Sequence, residues 1–115
     1  MKVTVSWWDL SESGQTIDSL RAQLREEGVE PWRQVHGLRW KLWISDRATN
    51  RWGAVMVWES APGPAASLPP NRAAELIGYP PTHRMTTDVE AVVEGVHSGG
   101  AADLGLAFAQ LGDAM

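Results

Sequence analysis

The chain has 115 residues, with 10 lysines and arginines against 14 aspartates and glutamates, and a formal net charge of -4 at pH 7. The length predicts one globular domain, and the scattered, mildly acidic charge argues against nucleic acid and anionic membranes as partners. Because the chain has no cysteine and its start has no apolar run, we expect a cytoplasmic protein without disulfides, signal peptide or membrane span.

The first quarter of the chain predicts a strand followed by a helix. Residues 2–9 alternate in character with a period of two, which is typical of a strand. Apolar residues then recur at helical spacing over Ile17–Leu24. Ser13 or Thr16 is the expected N-cap, and Gly28 is the expected stop.

The middle of the chain predicts an antiparallel hairpin. Two strand-like runs, 37–45 and 51–60, are separated by the polar stretch 46–50, which has the length and composition of a hairpin loop. The runs hold four of the seven tryptophans: Trp40, Trp43, Trp52 and Trp58. A tryptophan ring suits a packed core, and it equally suits a pocket for a flat ligand.

The second half predicts a loop, a short helix and a last strand. Prolines make 61–70 a loop, after which Asn71 is the expected cap of a helix that ends at Gly78. The stretch 82–96 is rich in threonine and valine and predicts a strand with a bulge or kink. We expect a domain over residues 1–98. The tail, 99–115, has one apolar helical face formed by Leu104, Phe108 and Leu111.

The order β-α-β-β-α-β predicts an α+β fold of the ferredoxin-like, split β-α-β type, with an antiparallel sheet and both helices on one face. The runs Leu42–Ile44 and Ala54–Trp58 are continuously apolar, which is typical of a sheet that is buried on both faces. A second copy of the same sheet would cover the face that the helices leave bare. The sequence therefore predicts a homodimer.

Three short motifs carry a family resemblance. They are Gly37-Leu-Arg-Trp-Lys-Leu-Trp43, then Trp52-Gly-Ala-Val-Met-Val-Trp-Glu-Ser60, and then Pro80-Pro-Thr-His-Arg84 leading into Thr87-Asp-Val89. Together they resemble the YdhR-like monooxygenases of the dimeric α+β barrel superfamily, which also contains the antibiotic-biosynthesis monooxygenases. The resemblance spans Val3 to Val96. The chain departs from the family pattern at Trp52 and Met56 and in its short second helix, and these departures alter the pocket that the family would imply.

The resemblance implies a cofactor-independent monooxygenase that oxidises a polycyclic phenol or another aromatic small molecule with O2. The deprotonated substrate would reduce O2 itself and yield a quinone. The protein would then need to desolvate the substrate, favour its anion and exclude water. No cofactor is expected.

Lys41 is the first candidate catalytic residue. It lies in a strand that otherwise looks buried, where an ammonium is costly unless it meets an anion. Two structural alternatives remain open: Lys41 extends its amine to solvent, or it pairs with Glu59 across the hairpin.

His36 and His83 are candidate bases, because only histidine has an unperturbed pKa near neutrality. We expect both to approach one pocket mouth, and the alternative is that each is an ordinary surface histidine. The third histidine, His97, completes no metal-ligand spacing with them, so no metal site is expected.

Four residues of the hairpin are candidate substrate contacts: Arg39, Trp40, Trp43 and Trp58. Trp40 and Trp43 are an odd number of residues apart, so a regular strand places them on opposite faces. Arg39 and Trp43 would share the more polar face with Lys41, whereas Trp40 would share an apolar face with Leu38 and Leu42. Packing in the core or at a dimer interface is the alternative role for each tryptophan.

Three functional hypotheses follow: a cofactorless monooxygenase, a non-redox aromatic-binding or cyclase-like module on the same dimeric scaffold, and a purely structural dimer.

Overall fold

The computed structural model describes residues 1–59, 68–69 and 71–97, and these form a small α+β unit. Its strands are β1 (Lys2–Asp9), β2 (Leu38–Asp46), β3 (Arg51–Trp58) and β4 (His83–Asp88). Its α-helices are α1 (Ile17–Glu27) and α2 (Arg72–Ile77), and a single 3₁₀ turn, Glu30–Trp32, lies between α1 and β2.

The strands form one four-stranded sheet in the order β2-β3-β1-β4. Each neighbouring pair is antiparallel. The predicted hairpin is confirmed as β2 and β3, and an antiparallel sheet with two helices is compatible with a ferredoxin-like fold. In this order β2 and β4 are the two edges of the sheet.

The first helix begins where its capping chemistry begins. The Thr16 hydroxyl accepts a hydrogen bond from the Ser19 backbone N–H at 3.0 Å, and the Ser19 hydroxyl accepts one from the Thr16 N–H at 2.8 Å. This reciprocal capping box satisfies N–H groups that the first helical turn leaves unpaired. Of the two predicted caps, Thr16 is therefore the one used, and the predicted stop at Gly28 is confirmed.

The second helix is short and matches its predicted ends. The Asn71 side chain accepts a hydrogen bond from the Ala74 N–H at 3.1 Å, and Gly78 ends the helix with a φ of 101°. Only glycine adopts such a left-handed conformation without strain, which explains the stop. Neither of the described helices is long and apolar enough to cross a membrane.

The last strand is shorter than predicted. β4 ends at Asp88, and the following residues up to His97 form no strand, so the predicted extent of 82–96 is wrong in its second half. Its pairing partner, β1, begins at Lys2, which lies opposite Asp88. Beyond this pair the Val89 N–H donates to the Met1 carbonyl at 3.0 Å.

Two predicted segments are not covered by this description. The tail 99–115, with its expected apolar helical face, lies outside the described residues, as does most of the proline-rich stretch 61–70.

The helices cover one face of the sheet. The core there consists of Trp8, Leu10, Ile17, Leu20, Trp52 and Ile77. Trp8 and Trp52 lie opposite each other on β1 and β3, and the Trp8 Nε1–H donates to the Tyr79 carbonyl at 2.9 Å. This bond satisfies the one donor of a ring that is otherwise surrounded by apolar groups.

β1 directs its more polar side toward the helices. Thr4 and Ser6 are buried on the same face as Trp8, whereas Val3 and Val5 lie on the other face. A sheet with only one covered face usually places its apolar residues inward. In β1, by contrast, the two valines lie on the face that the helices do not cover.

We call that second face the open face, and it is apolar across three strands. Trp40, Leu42 and Met85 lie on it and remain 38%, 45% and 57% exposed. Val5 and Val55 lie between them in the same sheet. Both described helices contribute to the core on the other side of the sheet, so they do not shield these residues.

Candidate functional site

The candidate site lies on the helix-facing side of β2 and β3. Residues of three strands align there in cross-strand rows, because pairing in an antiparallel sheet keeps opposed side chains on one face. One row contains Thr4, Met56 and Lys41, and the next contains Ser6, Ala54 and Trp43. Lys41 and Trp43 therefore share a face, as the sequence predicts.

Lys41 lies between two tryptophan rings. Its Nζ atom is 3.1 Å from the centroid of the Trp32 ring and 4.7 Å from that of Trp43. Trp32 ends the 3₁₀ turn that precedes β2, and Pro31, whose φ is fixed, favours that turn. We call Trp32, Lys41 and Trp43 the Trp–Lys–Trp cluster.

The amine of Lys41 has an unusual electrostatic environment. Burial lowers the pKa of Lys41 to about 7. No carboxylate among the described residues forms an ion pair with it. The negative faces of the indole rings favour the ammonium and oppose the effect of burial. Near neutral pH both the ammonium and the free amine are therefore present.

Glu59, the ion-pair partner that the sequence suggests for Lys41, pairs with Arg39 instead. Glu59 lies 3.5 Å from an Arg39 guanidinium nitrogen, so the alternative of a Lys41–Glu59 pair is wrong. Arg39 is displaced by a bulge, since the register with β3 shifts between Leu38 and Trp40. The predicted regular face of Arg39, Lys41 and Trp43 is thus reduced to its last two members.

The same bulge changes the neighbours of Trp40. Leu38 lies opposite Trp58, on the helix-facing side, whereas Trp40 lies opposite Val57, on the open face. Leu38 and Trp40 therefore do not share a face, contrary to the strict alternation assumed from the sequence. The placement of Trp40 and Trp43 on opposite faces is confirmed.

The two candidate bases are not brought together within one chain. His36 is exposed in the turn before β2, at one edge of the sheet. His83 is exposed at the start of β4, at the other edge, where it lies opposite Trp7. Neither histidine is hydrogen-bonded to Lys41 in the described part of the chain. The expectation that both approach one pocket mouth does not hold in the single chain.

Trp58 is a packing residue in this structure. It is 1% exposed, and its Nε1–H donates to the Thr4 hydroxyl at 3.4 Å. The bond is long, but it gives the buried indole donor a polar partner. Trp58 forms a wall of the helix-facing layer and presents no free surface to a ligand.

Sequence reasoning missed Trp32, Thr4 and Ser6. Trp32 follows a proline in a connection, and no periodic pattern marks it as a neighbour of Lys41. Thr4 and Ser6 alternate with valines, so the pattern predicts two faces without indicating which one is covered. The available signal was the surplus of apolar residues on the valine side.

No metal site is evident where the structure is described, since no three histidine, aspartate or glutamate side chains there lie close enough to hold an ion.

No protein-family model matches the chain, and no curated protein matches it either.

Proposed function

We propose that the protein binds a flat aromatic molecule with an ionisable hydroxyl group at the Trp–Lys–Trp cluster and promotes its oxidation by O2 without a cofactor. The observation that carries the proposal is a half-buried lysine amine between two indole rings, with no carboxylate paired to it in the described part of the chain. The resemblance to YdhR-like monooxygenases supplies the reaction class.

The cluster matches both parts of such a ligand. A phenolate oxygen would meet the ammonium of Lys41, and that charged contact is stronger in a partly desolvated site than in water. The indole faces of Trp32 and Trp43 offer stacking surfaces for the ring. Met56 and Ala54 of β3 lie directly opposite Lys41 and Trp43 on the same face and add apolar surface beside the cluster.

The reaction needs no electron source beyond the substrate. A ring methylene of the keto tautomer loses a proton, and the resulting anion reduces O2. One oxygen atom becomes the new carbonyl, and the other leaves as water with the two hydrogens of the methylene. Lys41 would contribute by stabilising the substrate anion, and the flanking rings of Trp32 and Trp43 would limit access of water to intermediates.

The scaffold that we propose is a ferredoxin-like homodimer. Support comes from the strand order and from the apolar open face, which a second copy would cover around a two-fold axis. A contiguous exposed apolar patch of this kind often marks a surface that contacts another molecule.

A second candidate function is binding of the aromatic molecule without oxidation. The separation of His36 and His83 favours it, because no histidine base lies in the Trp–Lys–Trp cluster of the single chain. In that case Lys41 would select the anion and no oxygen would be consumed.

Oxygen uptake separates these functions. Anthrone and naphthol are added to the protein in an oxygen-electrode cell, and quinone formation is followed by absorbance. We expect uptake by the wild type and loss of uptake in Lys41→Met. The control variant Lys2→Met removes the only other lysine and should retain activity. Quenching of tryptophan fluorescence without uptake would favour the binding module, and neither effect would refute both functions.

A further inference from the structure

The chain contains just two lysines, and they occupy opposite environments. Lys2 forms an ion pair with Asp88 at 2.5 Å, and its side chain is 39% exposed. Lys41 has no such partner among the described residues and lies against the Trp32 and Trp43 rings. An amine that has no anion and is partly withdrawn from water is the kind of lysine that acts as a nucleophile.

We propose that Lys41 is a carbonyl-reactive amine that forms an imine with aromatic aldehydes at the Trp–Lys–Trp cluster. The free amine attacks the aldehyde carbon, and a carbinolamine forms. Loss of one water molecule then leaves a C=N double bond between Nζ and the former carbonyl carbon. No oxidant or reductant is needed, so this reactivity is independent of the proposed oxidation.

The geometry favours both the reactant and the product. Attack requires the unprotonated amine, and the lowered pKa of Lys41 makes this form abundant near pH 7. Once the imine is protonated, its positive charge lies where the ammonium lay, over the Trp32 ring. The aryl group of the aldehyde would gain stacking contacts with Trp43, which an aliphatic aldehyde cannot make.

Reductive trapping tests the proposal on the whole chain. The protein is treated with benzaldehyde and sodium cyanoborohydride near pH 7, which converts an imine to a stable secondary amine. Peptide mass mapping then compares adducts at Lys41, Lys2 and the N-terminal amine, each heavier by the mass of the aldehyde less one oxygen atom.

We expect at least about tenfold more adduct at Lys41 than at Lys2, since each pKa unit below that of an ordinary lysine raises the free-amine fraction about tenfold. Butanal should reduce this preference, and so should Trp32→Ala, whereas Trp32→Phe should retain most of it. Equal labelling of Lys41 and Lys2 in the wild type would overturn the proposal. A preference unchanged by Trp32→Ala and by butanal would overturn the role of the rings.

Because trapping consumes no oxygen, its result is independent of the oxygen-uptake assay. A protein that takes up no oxygen with anthrone but labels selectively at Lys41 would refute the oxidation and support the imine. A protein that takes up oxygen with anthrone but labels Lys41 no more than Lys2 would support the oxidation and refute the imine.

Discussion

Lys41 differs from an ordinary surface lysine in what surrounds its amine. Its Nζ lies 3.1 Å from the Trp32 ring centroid, and Glu59, the acidic residue across the hairpin, is taken by Arg39. Partial desolvation penalises the ammonium, and none of the carboxylates in residues 1–59, 68–69 and 71–97 forms an ion pair with it to compensate. Such a loss of folding stability is typical of functional sites, where the amine would bind a ligand anion.

This environment predicts a specific pH dependence of stability. The pKa of Lys41 is about 7 in the folded chain and about 10.4 for a lysine in an unfolded one. Between these values the unfolded state binds more protons, so the free energy of unfolding contributed by Lys41 rises with pH. The rise is at most about 1.4 kcal/mol per pH unit, and solvent exposure and the indole rings reduce it.

Urea unfolding of the wild type and Lys41→Met at about pH 6 and about pH 9 measures this effect. We expect the wild type to gain about 1 to 2 kcal/mol relative to the variant at the higher pH. Lys2→Met, which removes the same formal charge from the start of β1, serves as the control. A wild-type-minus-Lys41→Met difference that is flat with pH would show that the amine is fully solvated.

The sequence identified Lys41 and Trp43 as neighbours because a period of two places them on one face. It could not identify Trp32, whose contact with Lys41 depends on how the 3₁₀ turn folds back toward β2. Contacts of that kind are set by tertiary packing and leave no periodic signal. The bulge at Arg39 is likewise invisible in the residue pattern, and it is what separates Arg39 from Lys41.

At the scale of elements, the centre of the sheet depends on a close approach at Gly53. A Cβ atom at this position would lie 2.4 Å from the Ser6 carbonyl oxygen and 2.8 Å from Cε3 of the Trp7 ring. The backbone oxygen cannot move without disturbing the pairing of β1 with β3. The absence of a side chain thus lets Trp7 lie across β3 on the open face.

We therefore expect Gly53→Ala to destabilise the fold by about 1 to 3 kcal/mol or more, the range for overpacked sites. The measurement is the shift of the urea midpoint in equilibrium unfolding. Gly14→Ala is the matched control, because a Cβ there meets nothing within 4 Å, and its effect should stay within about 0.5 kcal/mol. Equal shifts in the two variants would contradict the close contact.

Most helices and strands were predictable because residues close together in the sequence determine where they begin and end. Thr16, Asn71 and Gly78 act as caps and stops through bonds and backbone angles that lie within a few residues of each other. The end of β4 was not predictable in this way. Four valines follow between Asp88 and His97, but the strand ends at Asp88, which pairs with Lys2, the first residue of β1.

At the scale of the whole molecule, the main feature is the open face, the apolar side of the sheet that neither described helix covers. Trp40 and Leu42 on β2 and Met85 on β4 extend it to both edges. An interface with a second copy would bury these residues and return a favourable free energy in proportion to the apolar area removed from water.

We expect the wild type to sediment with the mass of two chains at micromolar concentration. Leu42→Glu places a carboxylate on the open face, and it should shift the protein to a single chain. Val93→Glu is the control, since Val93 is 91% exposed and lies outside the sheet, and it should leave the dimer intact. A wild type that sediments with the mass of one chain would refute the proposed homodimer.

The central claim is that the Trp–Lys–Trp cluster binds an ionisable aromatic molecule through the charge of Lys41. The most direct measurement is a titration of naphthol near neutral pH, followed by quenching of tryptophan fluorescence, in the wild type, Lys41→Met and Lys2→Met. We predict saturable quenching, with a dissociation constant at least about tenfold weaker in Lys41→Met, a loss of about 1.4 kcal/mol. Lys2→Met should match the wild type. Equal affinity in all three proteins, or no quenching of the wild type, would contradict the claim.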